Sequence, residues 1–262
     1  MRIQNHARWL TGLLFLASSG SALAQENILE EVVVTATKRA LALQDLAGSA
    51  NVLGADRLGP GGIQEVRDMQ VDIPNLSIGD QFGFARVFMR GIGMTSIDIG
   101  GEGAVAFLQD GAIIPRPAAQ LMGMFDLSQV EVLRGPQGTL FGRNTIGGVI
   151  NVTRTKPTGE WGVKLQGTFG DEDMTDVKGV LNMPLGERGG LKLAFKNIQS
   201  ESHVFNTTLN ERRDFRDSTT VSATIRFDLT DDTSFQFTYD DYDHDTIAPD
   251  NLMVGPFGEA QT

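Results

Sequence analysis

The last third of the sequence alternates apolar and polar residues with a period of two, which limits the folds open to the chain more than any other feature. Such alternation is the side-chain repeat of a β-strand. Five segments share it: Trp161 to Phe169, Val177 to Leu185, Leu191 to Lys196, Thr220 to Leu229 and Ser234 to Tyr239. We therefore predict five antiparallel strands, each with one apolar face.

The apolar faces of these segments carry no charge. The charged residues all fall on the opposite faces: Lys164, Lys178, Lys192, Lys196, Arg226 and Asp228. Lipid demands this segregation, because Arg or Lys on the lipid face costs about 2–4 kcal/mol at the bilayer midplane. Short turns at 186–190 and 230–232 and a longer loop at 201–217 are typical of bacterial outer-membrane barrels. A soluble β-sandwich, whose strands also alternate, is the alternative.

The N-terminus has the three parts of a secretory signal peptide. Arg2 and Arg8 precede the apolar run from Trp9 to Ala17, and Ala22-Leu23-Ala24 supplies an A-x-A site. A membrane anchor is the alternative, but the apolar run is about half of the ~20 residues that spanning needs. We predict cleavage after Ala24.

The net charge of −11 argues against a nucleic-acid partner, and the absence of cysteine excludes disulfides and thiolate metal sites.

Residues 25 to about 160 show no sustained alternation and contain many glycines, as expected of a compact α+β domain. The pattern predicts short helices at Gln44 to Leu58 and Gly62 to Met69. It predicts buried strands at Ala104 to Gln109, Val130 to Leu133 and Gly148 to Val152. This middle segment therefore differs in fold class from the strands that follow it.

Several motifs of the mature chain resemble those of TonB-dependent receptors. The segment EEVVVTAT at 30–37 looks like a Ton box, and VFMRGIG at 87–93 and VAFLQDG at 105–111 resemble internal plug motifs. The most specific match is VEVLRGPQGTLFGRNTIGGVINV at 130–152. One departure is Gln109, which stands before Asp110 where the family more often has a carboxylate-glycine pair directly after the strand.

The resemblance implies an α+β plug domain followed by antiparallel transmembrane β-barrel strands. Five strands are fewer than the ~8 of the smallest barrels, so we expect the barrel to be incomplete within these residues. The expected layout is a signal peptide (1–24), a periplasmic segment with the Ton box (25–43), the plug (44–157) and the start of the barrel (158–262).

The Ton box is the predicted contact for the protein TonB and its inner-membrane energising complex. An extended valine run can add a strand to another protein's sheet edge. An ordinary first strand of the plug is the alternative reading. The residues predicted to bind TonB are Glu31, Val32, Val33, Val34, Thr35 and Ala36.

Two further sets of residues are predicted, the first from the charges of the plug segment and the second from the resemblance. Charged residues expected to lock the plug to the barrel are Arg90, Glu131, Arg134 and Arg143. Plug loops expected to contact the ligand supply Asp80, Gln81, Phe82, Phe84, Met94, Thr95 and Ser96. A local role in stabilising turns is the alternative for the first set, and ordinary exposed loops are the alternative for the second.

The resemblance implies active uptake of a scarce nutrient across the outer membrane of a Gram-negative bacterium, with membrane lipid and a small-molecule or metal-chelate ligand as partners. A ferric siderophore is favoured, and a vitamin, a saccharide or a surface binding and signalling role is the alternative. We expect no enzymatic activity and no cofactor. The acidic run Asp240, Asp241, Asp243 and Asp245 around His244 is interpreted as the start of a solvated loop rather than a metal site.

Overall fold

The computed structural model describes residues 33–34, 41–46, 48–58, 62–63, 65–81, 84–94, 101–121, 125–171, 173–201, 204–206, 211–213, 216–246, 253–254 and 260–261. Its strands form two five-stranded sheets and several smaller ones. Within the described ranges, no helix is both long enough and apolar enough to cross a membrane.

The first five-stranded sheet is named here the core sheet. Its strands are, in spatial order, β3 (Ser49–Gly54), β9 (Leu127–Arg134), β10 (Gly148–Arg154), β7 (Val105–Gln109) and β8 (Ala112–Ile113). Strand β10 pairs parallel with β7, whereas the other neighbours are antiparallel. The strands up to this point are β1 (Val33–Val34), β2 (Leu41–Ala42), β3 (Ser49–Gly54), β4 (Leu76–Gln81), β5 (Phe84–Met89), β6 (Ile92–Gly93), β7 (Val105–Gln109), β8 (Ala112–Ile113), β9 (Leu127–Arg134) and β10 (Gly148–Arg154).

Each face of the core sheet carries a cluster of buried apolar side chains, which explains the near-continuous hydrophobic runs in β7 and β10. Val130 and Val132 of β9 pack into one cluster with the β4–β5 hairpin, and Leu133 packs into a second cluster on the other face. The strands predicted at Ala104 to Gln109, Val130 to Leu133 and Gly148 to Val152 are confirmed.

Two tight hairpins shape the edges of this region. Arg90 and Gly91 connect β5 to β6, and Asp110 and Gly111 connect β7 to β8. All four residues have positive φ, between 50° and 80°. Two successive residues in the left-handed region form the hairpin turn whose twist matches that of the flanking strands. The Asp-Gly pair at 110–111 is therefore a structural requirement of the turn.

The helix predicted at Gln44 to Leu58 is wrong. Residues Leu43–Asp45 form a 3₁₀ turn and Ser49–Gly54 are strand β3, which pairs in register with Gln129 to Arg134 of β9. Pairing with a distant strand has overridden the local pattern. The second helix is shifted: a 3₁₀ turn at Val66–Asp68 leads into α1 (Met69–Asp72). Further short helices are a 3₁₀ turn at Pro117–Leu121 and α2 (Gly138–Phe141).

The second five-stranded sheet, named here the long sheet, is antiparallel throughout and has the order β11-β12-β13-β16-β17. All five predicted strands are confirmed, and β17 extends past the predicted end at Tyr239. Within the described residues the sheet does not close. The strands are β11 (Gly162–Phe169), β12 (Thr175–Pro184), β13 (Gly189–Ser200), β14 (Val204–Asn206), β15 (Glu211–Arg213), β16 (Arg216–Asp228), β17 (Ser234–Thr246), β18 (Met253–Val254) and β19 (Ala260–Gln261).

Burial in the long sheet is the reverse of that in a water-soluble protein. Leu165 and Phe169 are 78% exposed, whereas Lys192 and Lys196 on the other face are 2% exposed. Exposing apolar side chains while burying charged ones is favourable only where lipid contacts the apolar face. The predicted assignment of the charge-free face to lipid is consistent with this burial pattern, and a soluble β-sandwich is not.

Candidate functional site

Arg154, the last residue of β10, joins the core sheet to the long sheet. Its Nε atom donates to Asp110 Oδ2 at 2.7 Å, and its backbone N–H donates to Asp110 Oδ1 at 2.9 Å. Its Nη1 atom donates to Asp240 Oδ1 of β17 at 2.6 Å and to Ser222 Oγ of β16 at 3.2 Å. A single guanidinium therefore bridges a carboxylate of each sheet.

These neighbours favour the charged form of Arg154. Burial alone would lower the pKa of Arg154, but the hydrogen bond to Asp240 and the charges of Asp110 and Asp240 raise it above its ordinary value. An arginine is protonated at every physiological pH even without such help. The bridge therefore holds its cation over the whole range of pH that a bacterium meets.

Lys192 of β13 makes a second connection. Here the cation lies on the long sheet and the carboxylate, Asp126, lies in the preceding domain. Its Nζ atom forms an ion pair with Asp126 and donates to the backbone oxygen of Thr155 and, at 3.1 Å, to Thr155 Oγ1. Thr155 Oγ1 also donates to Asp126 Oδ1 at 2.7 Å. The side chains of Lys192 and Asp126 are 2% and 8% exposed, so the pair is withdrawn from water.

A cavity of about 560 Å³ lies between the two sheets beside these contacts. Residues of the core-sheet region and of β13, β16 and β17 line it, including Phe107, Ala194 and Tyr242 together with the two bridging cations. Its size falls in the range of small-molecule pockets, ~300–1,000 Å³. Arg154 and Lys192 thus provide polar contacts between the two sheets among the described residues, and open space lies next to them.

The four residues predicted to lock the plug to the barrel have described contacts within the core-sheet region. Arg134 Nη1 lies 3.5 Å from the Pro74 oxygen, and Arg143 pairs with Glu102 at 2.9 Å. Glu131 is fully buried and accepts from Gln129 and Asn151, each at 2.8 Å, and Arg90 lies in the β5–β6 turn. Their predicted contact with the barrel stays a prediction.

Most of the predicted TonB-binding segment lies outside the described residues, namely Glu31, Val32, Thr35 and Ala36. Val33 and Val34 are described: they form β1, which pairs with Leu41–Ala42. Val34 is fully buried and packs with Leu108, Leu133 and Val149 on one face of the core sheet. These two valines therefore already occupy a strand within the domain.

Three of the seven predicted ligand contacts lie at one hairpin. Asp80 and Gln81 end β4 and Phe84 begins β5, so the three lie around the turn that joins these strands. Asp80 Oδ2 is 3.7 Å from Arg67 Nη2. Met94 is buried, and Phe82, Thr95 and Ser96 lie outside the described residues. No bound ligand tests these assignments, which stay predictions.

The acidic run near position 240 is not the start of a loop, because β17 continues to Thr246. Asp240 lies inside this strand and pairs with Arg154, a role that the sequence did not indicate. In the parts of the chain that the structure describes, no group of three or more acidic or histidine side chains is arranged to hold a metal ion.

The model of the TonB-dependent Receptor Plug Domain family matches residues 42–149. Residues 42–149 form a TonB-dependent receptor plug domain. The match spans the core sheet up to the second residue of β10, so Arg154 and the long sheet lie just beyond it. The resemblance found in the sequence is thereby confirmed, together with the fold class of a plug domain followed by antiparallel strands.

Curated relatives of the plug-bearing chain are receptors. The ferric-pyoverdine 358 receptor of Pseudomonas putida is 23% identical over 211 residues, which are 80% of this chain and 24% of that protein. The pesticin receptor of Yersinia pestis is 30% identical over 152 residues, 56% of this chain and 22% of that protein. The chain thus spans about a quarter of the length of these relatives.

The crystal structure of the ferric yersiniabactin uptake receptor FyuA from Yersinia pestis has the same fold over 73% of this chain and 30% of its own, with a TM-score of 0.66 and 21% identity. At this identity the likeness establishes the fold, including the long sheet. The family places the protein in the outer membrane of a Gram-negative bacterium, as the sequence predicted.

Proposed function

We propose that the protein is a TonB-dependent outer-membrane receptor that takes up a ferric siderophore or a similar iron complex. The observation that carries the proposal is a plug domain seated on the polar face of a sheet whose other face suits lipid. Relatives named as ferric-pyoverdine and ferric yersiniabactin receptors support iron as the cargo metal. Because these relatives are receptors, they also support the predicted absence of an enzymatic role.

The substrate class is tested by growth of a strain that lacks the full-length gene. We expect slower growth on one ferric siderophore supplied as the sole iron source, and a higher transcript level under iron limitation. Strains with and without the gene are compared on several defined iron sources, with inorganic iron at high concentration as the control. Unchanged growth on every iron source and no response to iron would reject iron and leave a vitamin or a saccharide as the cargo.

The proposed energy source is TonB, reached by strand addition at residues 31–36. The sequence has no G-x-x-x-x-G-K-[ST] loop for binding a nucleotide phosphate, so mechanical coupling to another protein is the favoured route. Strand addition relies on main-chain hydrogen bonds. Val33 and Val34 already form a β-strand with Leu41–Ala42, which supports an extended conformation of this segment.

Replacing Val32 by proline in the full-length receptor is expected to abolish uptake while ligand binding is retained. Proline removes the backbone N–H and fixes φ, and both changes weaken pairing with a partner strand. Uptake of radiolabelled iron complex and its binding to energy-depleted cells are measured in parallel. Val32→Ile, which keeps the backbone donor, serves as the control. Normal uptake by the proline variant would contradict a coupling role for this segment.

A further inference from the structure

The cavity between the core sheet and the long sheet has two walls of different chemistry. On the plug side, Phe107 and Val152 belong to a buried hydrophobic cluster, and Ile114 packs against the same cluster. Phe125 adds a second aromatic ring to this wall. Aromatic and aliphatic side chains of this kind supply a large apolar contact area. The plug wall is therefore suited to pack against an apolar ring.

The wall that the long sheet forms carries uncharged polar groups. Strand β16 supplies the hydroxyls of Thr220 and Ser222, and β17 supplies the amide of Gln236, the hydroxyl of Thr238 and the phenol of Tyr242. Each of these groups can both donate and accept hydrogen bonds. They lie on one face of two paired strands, so they are suited to a molecule with several hydroxyl groups.

The charged residues of the lining already form ion pairs with one another. Arg154 pairs with Asp110 and Asp240, and Lys192 pairs with Asp126. The described lining thus has one more carboxylate than cations. An anionic group that entered the cavity would lose hydration and find both of these cations occupied. The lining therefore favours an uncharged ligand.

The cavity lies toward the end of the long sheet at which short turns join the strands. Lys192 is the fourth residue of β13 and Gln236 is the third residue of β17, and both strands begin after a short turn. Short turns of bacterial outer-membrane barrels face the periplasm. None of the described residues predicted to contact the cargo lines this cavity. It is therefore a separate place from the β4–β5 hairpin.

We propose that this cavity binds a small neutral molecule with an apolar ring on one side and hydroxyl groups on the other, in the manner of an aromatic glycoside. The ring lies against the plug wall, and the hydroxyl groups bond to Thr220 and Gln236 of the long sheet. The volume of about 560 Å³ is that of a small-molecule pocket. The inference goes beyond uptake of an iron complex, because it assigns a second site to a different class of molecule.

The test measures the binding of two matched probes, phenyl β-glucoside and phenyl β-glucuronide, to the purified full-length receptor. Both probes have an aromatic ring and a hydroxylated sugar ring, but the glucuronide also carries a carboxylate at neutral pH. Equilibrium dialysis with radiolabelled probes, in a detergent without a sugar headgroup, gives both dissociation constants. We expect the glucoside to bind about tenfold more tightly, because the carboxylate would lose hydration without gaining a free cation.

Two substitutions in the lining locate the bound glucoside. Thr220→Val removes a hydroxyl and keeps the shape of the side chain, so we expect binding to weaken about fivefold through loss of one hydrogen bond. Ala194→Leu enlarges an apolar side chain that lines the cavity, and we expect it to abolish binding. The matched control is Thr168→Val, on the polar face of β11 and outside the lining, which should bind the glucoside as the native receptor does.

Absence of glucoside binding to the native receptor, or equal binding of the two probes, would overturn the proposal. Glucoside binding that survives both lining substitutions would also overturn it, since the probe would then occupy another part of the receptor. If Ala194→Leu does not reach the membrane, the comparison of Thr220→Val with Thr168→Val decides the location. Growth on iron sources does not enter these outcomes, so failure of the iron proposal and failure of this site are distinguishable.

Discussion

Replacing Gly148 by alanine is expected to prevent the plug domain from packing. Gly148 begins β10 at a φ of 152°, where side chains are rarely tolerated, and a Cβ atom there would overlap the Leu133 carbonyl oxygen and the Met89 sulfur. The first of these atoms belongs to the backbone of the neighbouring strand and cannot move independently. Overpacking together with backbone strain predicts a loss of about 3 kcal/mol or more.

The measurement is hydrogen exchange across residues 127–154 in the full-length receptor, with membrane abundance as the measure of assembly. Exchange should rise throughout β9 and β10 because both strands must separate to admit the methyl group. Gly48→Ala is the control, since nothing lies within 4 Å of its added Cβ and its φ is ordinary. Native protection in the Gly148 variant would show that the two strands have more freedom than their contacts imply.

Replacing Leu165 by arginine is expected to reduce insertion into the outer membrane severely. Leu165 lies midway along β11 on the exposed apolar face. A charge on that face costs about 2–4 kcal/mol near the bilayer midplane. Folded receptor is measured by its heat-modifiable mobility in gels, and we expect a large fall in the folded fraction.

The polar face of the same strand provides the control for this substitution. Thr168→Arg places the same side chain on the polar face of β11, opposite Asp176 of β12 and away from lipid. It should leave the folded fraction close to that of the native protein. Equal losses for the two arginine variants would mean that the exposed apolar face does not contact lipid.

The strands of the long sheet were predicted correctly because the pattern that marks each strand lies within one short segment of the chain. Alternation within each strand assigns Leu165 and Phe237 to one face and Lys192 to the other, and the structure places them so. The same reasoning failed for Ser49–Gly54, whose strand exists because it pairs with β9, about eighty residues later. Its side chains pack on both faces of the core sheet, Leu53 on one and Ala50 and Val52 on the other, so the segment shows little alternation of its own.

The two ion pairs that join the sheets, Arg154 with Asp240 and Lys192 with Asp126, could not be predicted for a related reason. Arg154 and Asp240 are separated by 86 residues and Lys192 and Asp126 by 66, so no spacing within one segment reveals either pair. The sequence did offer a weaker signal. Lys192 falls on the polar side of its strand, and Arg154 ends an apolar run, which are both places where a charge needs a partner.

The reversed burial of the long sheet means that the two parts of the chain require different surroundings, water for the plug and lipid for the outer face of the long sheet. The plug hides its apolar clusters and presents polar groups, whereas the long sheet is stable only with hydrocarbon against Leu165, Phe169 and Phe237. The boundary falls within the few residues between Arg154 and Gly162. Before insertion, the residues after that linker therefore expose apolar side chains to water, whereas the apolar clusters before it are buried within the plug.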